Sequence, residues 1–112
     1  MKLFVDDERT PGFVYPGVPD WILVSTYRAA VLMLQTGWIQ ELSLDHDLGM
    51  GEPTGYEIAC KLERLVLSGA IPMPKRMVCH SANPAGRKRI ESTFDATIRH
   101  EKFLSEEVSN ET

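Results

Sequence analysis

Short apolar runs alternate with amphipathic segments along most of this chain. Runs of four or five residues have the length of β-strands, and the apolar residues between them recur with the 3.6-residue period of helices that face a core. The pattern predicts strands at residues 2–5, 21–25, 41–45 and 76–79, and helices at residues 27–36, 55–68 and 84–100. Because strands and helices alternate from the second strand onward, we expect an α/β domain with a parallel sheet.

Residues that begin and end helices stand at the limits of these segments. Thr54 and Glu57 have the spacing of a capping box, and Asn83 followed by Pro84 predicts a helix start. Gly37 is placed to end the first predicted helix. The segment 9–20 contains three prolines and two glycines, which predicts a long loop where a helix would otherwise join the first two strands.

Composition indicates one globular domain. The chain has 112 residues, 43% of them apolar and 25% charged, with an isoelectric point near 5.3. An acidic chain is not expected to present a broad nucleic-acid-binding surface, although a local basic patch is compatible with this balance. Residues 101–112 hold four glutamates and one lysine. We therefore predict a domain at residues 1–100 and a flexible acidic tail at residues 101–112.

Apolar runs in the sequence are too short for a membrane span or a signal peptide. The run that begins at Leu3 is broken after three residues by Asp6. We therefore expect a cytoplasmic protein without membrane contact.

Three of the predicted strands end in polar residues: Asp6-Asp7, Asp45-His46-Asp47 and His80-Ser81. The carboxyl ends of parallel strands lie at one edge of a sheet, so these side chains are expected to surround one pocket. Carboxylates packed together repel unless a cation compensates them, and oxygen ligands favour a hard cation. The sequence predicts a Mg²⁺ or Mn²⁺ site with Asp6, Asp7, Asp45 and Asp47 as ligands.

Two histidines of this edge, His46 and His80, are candidates for proton transfer, because imidazole titrates near neutral pH. A structural role at a strand end is the alternative for either one. With Asp45 they form the predicted catalytic set.

Anion binding is predicted beside the carboxylates. The helix that begins at Pro84 would direct free backbone N–H groups toward the pocket, with Arg87 adding charge. Ser81 has a hydroxyl that could donate to a phosphate oxygen. We assign substrate binding to Ser81, Asn83, Arg87 and Arg9.

Several motifs together resemble a family, the receiver-like domains named for predicted cyclic-phosphate processing. The resemblance covers residues 1 to about 100 and includes Val5-Asp6-Asp7-Glu8-Arg9 with Pro11, Leu42 to Gly49, Gly55-Tyr56, and Val78 to Pro84. In the related response-regulator receivers, an acidic pair ending the first strand and an aspartate ending the third bind Mg²⁺, and the latter is phosphorylated. Asp6, Asp7 and Asp45 stand at those places.

The resemblance implies a receiver-like, flavodoxin-like three-layer sandwich with about four strands. The chain differs from ordinary receivers in two respects. A loop replaces the first helix, and no fifth strand ends in the lysine that receivers have there, since Lys102 follows a poor strand pattern. Phosphorelay signalling is therefore not the expected function.

The implied activity is metal-dependent hydrolysis of a cyclic phosphate ester, such as a 2′,3′-cyclic RNA end or a cyclic nucleotide. One variant of the mechanism makes Asp45 the nucleophile. The alternative function is a non-enzymatic module that binds a cation or a phosphorylated ligand and presents its surface to a partner.

Overall fold

The fold is an α/β domain built on a four-stranded parallel sheet. The computed structural model describes residues 1–111, with side chains through residue 107. The strands are β1 Lys2–Val5, β2 Trp21–Val24, β3 Glu41–Leu44 and β4 Arg76–Cys79, in the order β2-β1-β3-β4. The helices are α1 Pro11–Val14, α2 Tyr27–Gln35, α3 Gly55–Leu67 and α4 Pro84–Glu111. The predicted α/β class and parallel sheet are confirmed, and every strand of this sheet pairs in parallel.

The hydrophobic core lies between one face of the sheet and the three longer helices. Alternate residues of the strands, such as Leu3, Val5 and Leu44, point to this side and are fully buried. Apolar residues of α2, α3 and α4 complete the same core, among them Ala30, Leu34, Ile58, Leu62, Ile90 and Phe94. Side chains alternate between the faces of a strand, so the intervening residues point to the opposite face.

The opposite face is covered by the segment that precedes β2. Phe4 and Ser43 point to this face, and both are fully buried. Tyr15 contacts the Phe4 ring edge-on, with the ring centroids 6.2 Å apart, and its hydroxyl lies 2.8 Å from Ser43 Oγ. The third layer is therefore thin and consists of α1 and its flanking residues.

The prediction of an uninterrupted loop at residues 9–20 was wrong over one turn. Residues Pro11–Val14 form α1, and the backbone N–H groups of Phe13 and Val14 donate to Thr10 O. Proline fixes the backbone dihedral that the first residue of a helix needs, so Pro11 begins a turn rather than preventing one. The turn brings Tyr15 under the sheet.

The predicted limits of the helices agree with the structure to within one residue, except at the end of the last helix. Thr26 caps α2 by accepting from Ala29 N–H, Glu57 accepts from Thr54 N–H at 2.7 Å, and Asn83 Oδ1 accepts from Gly86 N–H. The prediction ended the final helix near residue 100, whereas α4 continues to Glu111. No glycine or proline follows Gly86, so nothing in the sequence interrupts the helix.

Among the side chains described, Thr97 is the last buried one on α4, and the residues after it are exposed or half-buried through residue 107. The boundary between the predicted domain and the acidic tail stays a prediction, as does the flexibility of the tail. Among the described residues, no helix is long and apolar enough to cross a membrane.

Candidate functional site

The site begins with one row of side chains just beyond the strands. Asp45 N–H donates to Val5 O and His80 N–H donates to Leu44 O, so the ladder continues one residue past β3 and β4. Asp6 follows β1 in the same way and donates its N–H to Val24 O. Asp6, Asp45 and His80 consequently share the face to which Phe4 and Ser43 point. One potential ligand atom from each of the three lies within 4.8 Å of the others.

Asp6 is the most enclosed carboxylate of this row, with only 2% of its surface exposed. Its Oδ1 accepts from the backbone N–H groups of Glu8 and Arg9 at 2.8 and 3.0 Å. Its Oδ2 accepts from Arg9 Nε at 3.1 Å and lies 2.9 Å from His80 Nε2. Burial raises the pKa of Asp6, but these hydrogen bonds and the guanidinium charge outweigh it and hold the pKa below its ordinary value.

The His80 side chain is only 3% exposed and contacts both Asp6 and the sheet. Its ring stacks on Phe4 with the centroids 4.3 Å apart, and its Nδ1 lies 2.7 Å from Ser43 Oγ. Burial lowers the His80 pKa and outweighs the opposite effect of Asp6. Because the imidazole is neutral and a carboxylate only accepts, Nε2–H donates to Asp6 and Nδ1 accepts from Ser43. Ser43 in turn accepts from the Tyr15 hydroxyl.

Arg9 joins the two aspartates of the row. One terminal nitrogen, Nη2, donates to Asp45 Oδ1 at 3.2 Å, while Nε donates to Asp6. The Arg9 side chain is 30% exposed, so the guanidinium lies partly open to solvent. We call Asp6, Arg9, Asp45 and His80 the polar cluster. In it, a guanidinium provides the positive charge that the sequence analysis expected from a metal.

A cavity of about 430 Å³ opens beside the polar cluster, a volume in the range of small-molecule sites. The residues that line it are Asp7, Glu8, Arg9, Asp45, Asp47, Gly49, Ser81, Ala82 and Asn83. The cavity therefore combines carboxylates, a guanidinium, a hydroxyl and the residues that precede α4. Of the predicted substrate-binding residues, Arg9, Ser81 and Asn83 reach it.

Asp47 is held at the cavity wall by two neighbours. Asn83 Nδ2 donates to its Oδ2 at 3.4 Å, and His46 Nδ1 lies 3.0 Å from its Oδ1. These two hydrogen bonds lower the Asp47 pKa, with Asn83 the larger cause. His46 itself is mostly covered and packs against Gly86, where a Cβ would lie 2.3 Å from the His46 ring. His46 thus contacts Asp47, and His80 contacts Asp6.

Three residues that were predicted to face the pocket, His46, His80 and Arg87, do not line the cavity. His46 and His80 share no hydrogen bond among the described residues, and neither lines the cavity. Arg87 also lies elsewhere: its Nε donates to Glu91 at 2.6 Å, and it borders a separate cavity with Cys79 and Phe94. The cavity is lined by residues that precede α4, whereas Arg87 is the fourth residue of the helix and faces the other cavity.

Two residues missed by the sequence analysis, Tyr15 and Ser43, support the polar cluster from below. Ser43 was recognisable, because a serine inside an apolar strand two positions before Asp45 must point to the same face as that aspartate. Tyr15 carried no such signal. Its place depends on the turn formed by α1, which the sequence analysis did not predict.

The donors of the cavity are of the type that a hard divalent cation prefers, although among the described residues only Asp6, Asp45 and His80 bring three ligand atoms within 4.8 Å of one another. Asp7, Asp45 and Asp47 offer carboxylate oxygens, and Mg²⁺ binds through a few such oxygens while keeping several waters. Asp45 Oδ2 accepts no hydrogen bond from the described residues, so it is available. Asp6 is less available, since both of its oxygens already accept two hydrogen bonds each. Its use as a ligand would require Arg9 or His80 to move.

The family comparison agrees with this geometry. Residues 1–96 match the family model described as Cyclic-phosphate processing Receiver domain. The match covers most of the chain and includes every residue of the polar cluster and of the cavity. No curated protein and no solved structure matches the chain significantly.

Proposed function

Because this chain belongs to the family of cyclic-phosphate processing receiver domains, we propose that it hydrolyses a cyclic phosphate ester in the cavity, using a bound Mg²⁺ or Mn²⁺. The observation that carries the proposal is the lining of the cavity. Asp7, Asp45 and Asp47 provide ligands for a cation, and Arg9 and Ser81 provide donors for an anion. A cation and a phosphate can therefore be held side by side.

Arg9 is the residue proposed to bind the phosphate. Its Nε and Nη2 are engaged by Asp6 and Asp45, which fixes the guanidinium at the cavity and leaves its other N–H groups for the ligand. A guanidinium fixed in place before the ligand arrives stabilises charge that develops on phosphate oxygens. A bound divalent cation would supply Lewis-acid polarisation of the same phosphate.

The proposed reaction is addition of water across one ester bond of the ring. Water attacks phosphorus, one of the two P–O bonds of the ring breaks, and a phosphate monoester remains. The attacking water releases its proton to solvent, and the leaving oxygen takes a proton from solvent. The Asp47 carboxylate, oriented by His46 and Asn83, would hold the cation. His80 is assigned a positioning role, because it is buried and hydrogen-bonds the carboxylate that holds Arg9.

The test is turnover of a panel of 2′,3′-cyclic nucleotides, RNA with a cyclic phosphate end, and cyclic dinucleotides, with Mg²⁺ or Mn²⁺ and with a chelator. Asp45→Asn should lower kcat/KM about 100-fold or more, the size of effect produced by losing one group that stabilises the transition state. Asp95→Asn, the same chemical change at an exposed position on α4, is the control and should retain full activity. Turnover that is equal in both variants would refute the proposed site.

A second candidate is a sensor that binds a cation or a phosphorylated ligand without converting it. The observation that favours it is the absence of both histidines from the lining of the cavity. The same panel separates the two candidates: binding that depends on the cation, with every ester recovered intact, would support the sensor.

A further inference from the structure

A second concave surface lies beside the cavity, on the far side of the first turn of α4. It is a basic groove of about 490 Å³, lined by Tyr56, Ala85, Lys88, Arg89, Ser92 and Thr93. No carboxylate is among these residues. Within the part of the chain whose side chains are described, neither Lys88 nor Arg89 takes part in an ion pair. The groove therefore exposes two uncompensated positive charges on a chain whose formal net charge is −4.

The basic groove also contains a cation stacked on an aromatic ring. The guanidinium carbon of Arg89 lies over the Tyr56 ring, 4.0 Å from its centroid. Stacked guanidinium and aromatic groups provide flat surfaces on which unpaired bases stack, and Lys88 adds a charge suited to a phosphate. These are the features of a short binding site for single-stranded nucleic acid, on a chain whose formal net charge is negative.

The basic groove and the cavity are close enough to serve one ligand. Asn83 lines the cavity and Ala85, only two residues later, lines the groove, so the two sites adjoin at the start of α4. On the α3 side, Tyr56 follows Gly55, and Gly55 N–H donates to His46 O. The starts of α3 and α4 therefore connect the basic groove to residues that line or adjoin the cavity.

We propose that the substrate is a single-stranded RNA with a 2′,3′-cyclic phosphate end, rather than a free cyclic nucleotide. This inference rests on the proposed function. The cyclic phosphate occupies the cavity, and the preceding nucleotide lies in the basic groove, with a base on the Arg89–Tyr56 pair and its phosphate near Lys88. A cyclic mononucleotide has nothing to place in the groove.

The first test is binding of a fluorescently labelled single-stranded RNA that ends in a 3′-phosphate, measured by anisotropy in Mg²⁺. This end resembles the product and is not turned over. The double variant Lys88→Gln/Arg89→Gln should weaken binding about tenfold at low salt, and the dependence of log K on log salt should flatten by about 0.7, for the one phosphate contact that Lys88 makes. Tyr56→Leu should also weaken binding, because the stacking surface is lost.

Arg87→Gln is the matched control. It removes one positive charge from the same helix, against two in the double variant, and Arg87 pairs with Glu91 and does not line the basic groove. This variant should bind RNA within about twofold of the wild-type protein, since exposed ion pairs contribute little. An equal loss in the control and the double variant, or no RNA binding by the wild-type protein, would overturn the inference.

Turnover of two substrates distinguishes this inference from the proposed function. RNA with a cyclic end should have a higher kcat/KM than the corresponding cyclic mononucleotide, and the double variant should lose this advantage while hydrolysing the mononucleotide normally. Equal kcat/KM for both substrates would refute the role of the groove while the proposed function stood. RNA binding through the groove without hydrolysis of either substrate would refute the proposed function instead.

Discussion

At the scale of single residues, Arg9 supplies the positive charge between the two carboxylates of the site. It lies between Asp6 and Asp45, two carboxylates that would otherwise face each other at the edge of the sheet with 2% and 8% of their surfaces exposed. Each carboxylate oxygen next to Arg9 accepts one of its N–H groups. The residue thus stabilises the folded site, and the same charge makes Arg9 the best placed donor for a phosphate.

We predict that Arg9→Gln lowers the free energy of unfolding by about 1–3 kcal/mol, because two enclosed carboxylates lose a charged donor. Millimolar Mg²⁺ should recover more stability in this variant than in the wild-type protein, since a cation can replace the missing charge. Urea unfolding with and without Mg²⁺ measures both effects. A variant as stable as the wild-type protein without Mg²⁺ would contradict the role given to Arg9.

The buried imidazole of His80 predicts a loss of stability in mild acid. Its pKa in the folded protein is lower than the ordinary value of 6.5, so below that pH the unfolded chain binds a proton that the folded chain does not. The free energy of unfolding should therefore fall as the pH drops from 6.5 toward the folded pKa. Asp6, whose pKa is also lowered, adds a second loss as the pH falls below 3.8.

His80→Gln, which keeps a donor and an acceptor but does not titrate, should remove the first of these two losses. His100→Gln serves as the control at an exposed position on α4 and should keep the pH dependence of the wild-type protein. Urea unfolding between pH 5 and 7.5 gives the comparison. The same slope in His80→Gln and the wild-type protein would show that another group causes the acid sensitivity.

At the scale of elements, helix starts fix the loops of the site. Gly55, the first residue of α3, lies so close to β3 that a Cβ would be only 1.8 Å from the Asp45 carbonyl oxygen. Its N–H donates to His46 O, which fastens α3 to the segment that carries Asp45 and Asp47. A side chain at this position would have to push that segment away.

We predict that Gly55→Ala lowers the free energy of unfolding by about 1–3 kcal/mol, the usual cost of overpacking, and also lowers the affinity of the cavity for Mn²⁺. Gly12→Ala is the control, since nothing lies within 4 Å of a Cβ there. Thermal unfolding and Mn²⁺ titration test both statements. Equal stability of the two variants would contradict the close approach.

The sequence was informative about elements where local chemistry sets the boundary. The capping residues predicted for α3 and α4 act in the structure as their types predict, because capping depends on neighbouring residues alone. It was less informative about α1, since one turn with two breakers has no periodicity to detect. The length of α4 was underestimated because apolar spacing was the only signal considered, and a helix can extend beyond the residues that it buries.

Part of the candidate site was predictable from the order and direction of the strands. The meeting of Asp6, Asp45 and His80 follows from parallel strands that end in one row. The position of a side chain around a helix, such as Arg87, depends on packing that the sequence pattern does not specify. The separation of His46 from His80 arises because His46 is one residue past the row, and the chain turns there.

At the scale of the whole molecule, one helix is longer than the body that it packs against. α4 buries Ile90, Phe94 and Thr97, and the side chains that follow, through residue 107, are exposed or half-buried. Over the side chains that are described, the core therefore ends at about residue 97. This agrees with the matched family region, residues 1–96, which ends at the same place.

We predict that a chain ending at residue 100 unfolds within about 0.5 kcal/mol of the full chain, because exposed residues contribute little to stability. A chain ending at residue 92, which lacks Phe94 and Thr97, should lose about 3 kcal/mol or more. Circular dichroism during urea unfolding compares the three chains. A large loss in the longer truncation would place the end of the domain beyond residue 100.

The proposed function requires that a cation and a cyclic phosphate bind in the same cavity and that the phosphate ring opens there. The most direct measurement is ³¹P NMR of a 2′,3′-cyclic phosphate substrate mixed with the intact protein, first with a chelator and then with excess Mg²⁺ or Mn²⁺. The account predicts that the cyclic phosphate resonance is replaced by a monoester resonance only after the cation is added. A cyclic resonance that persists with either cation, for both the mononucleotide and the RNA substrate, would contradict it.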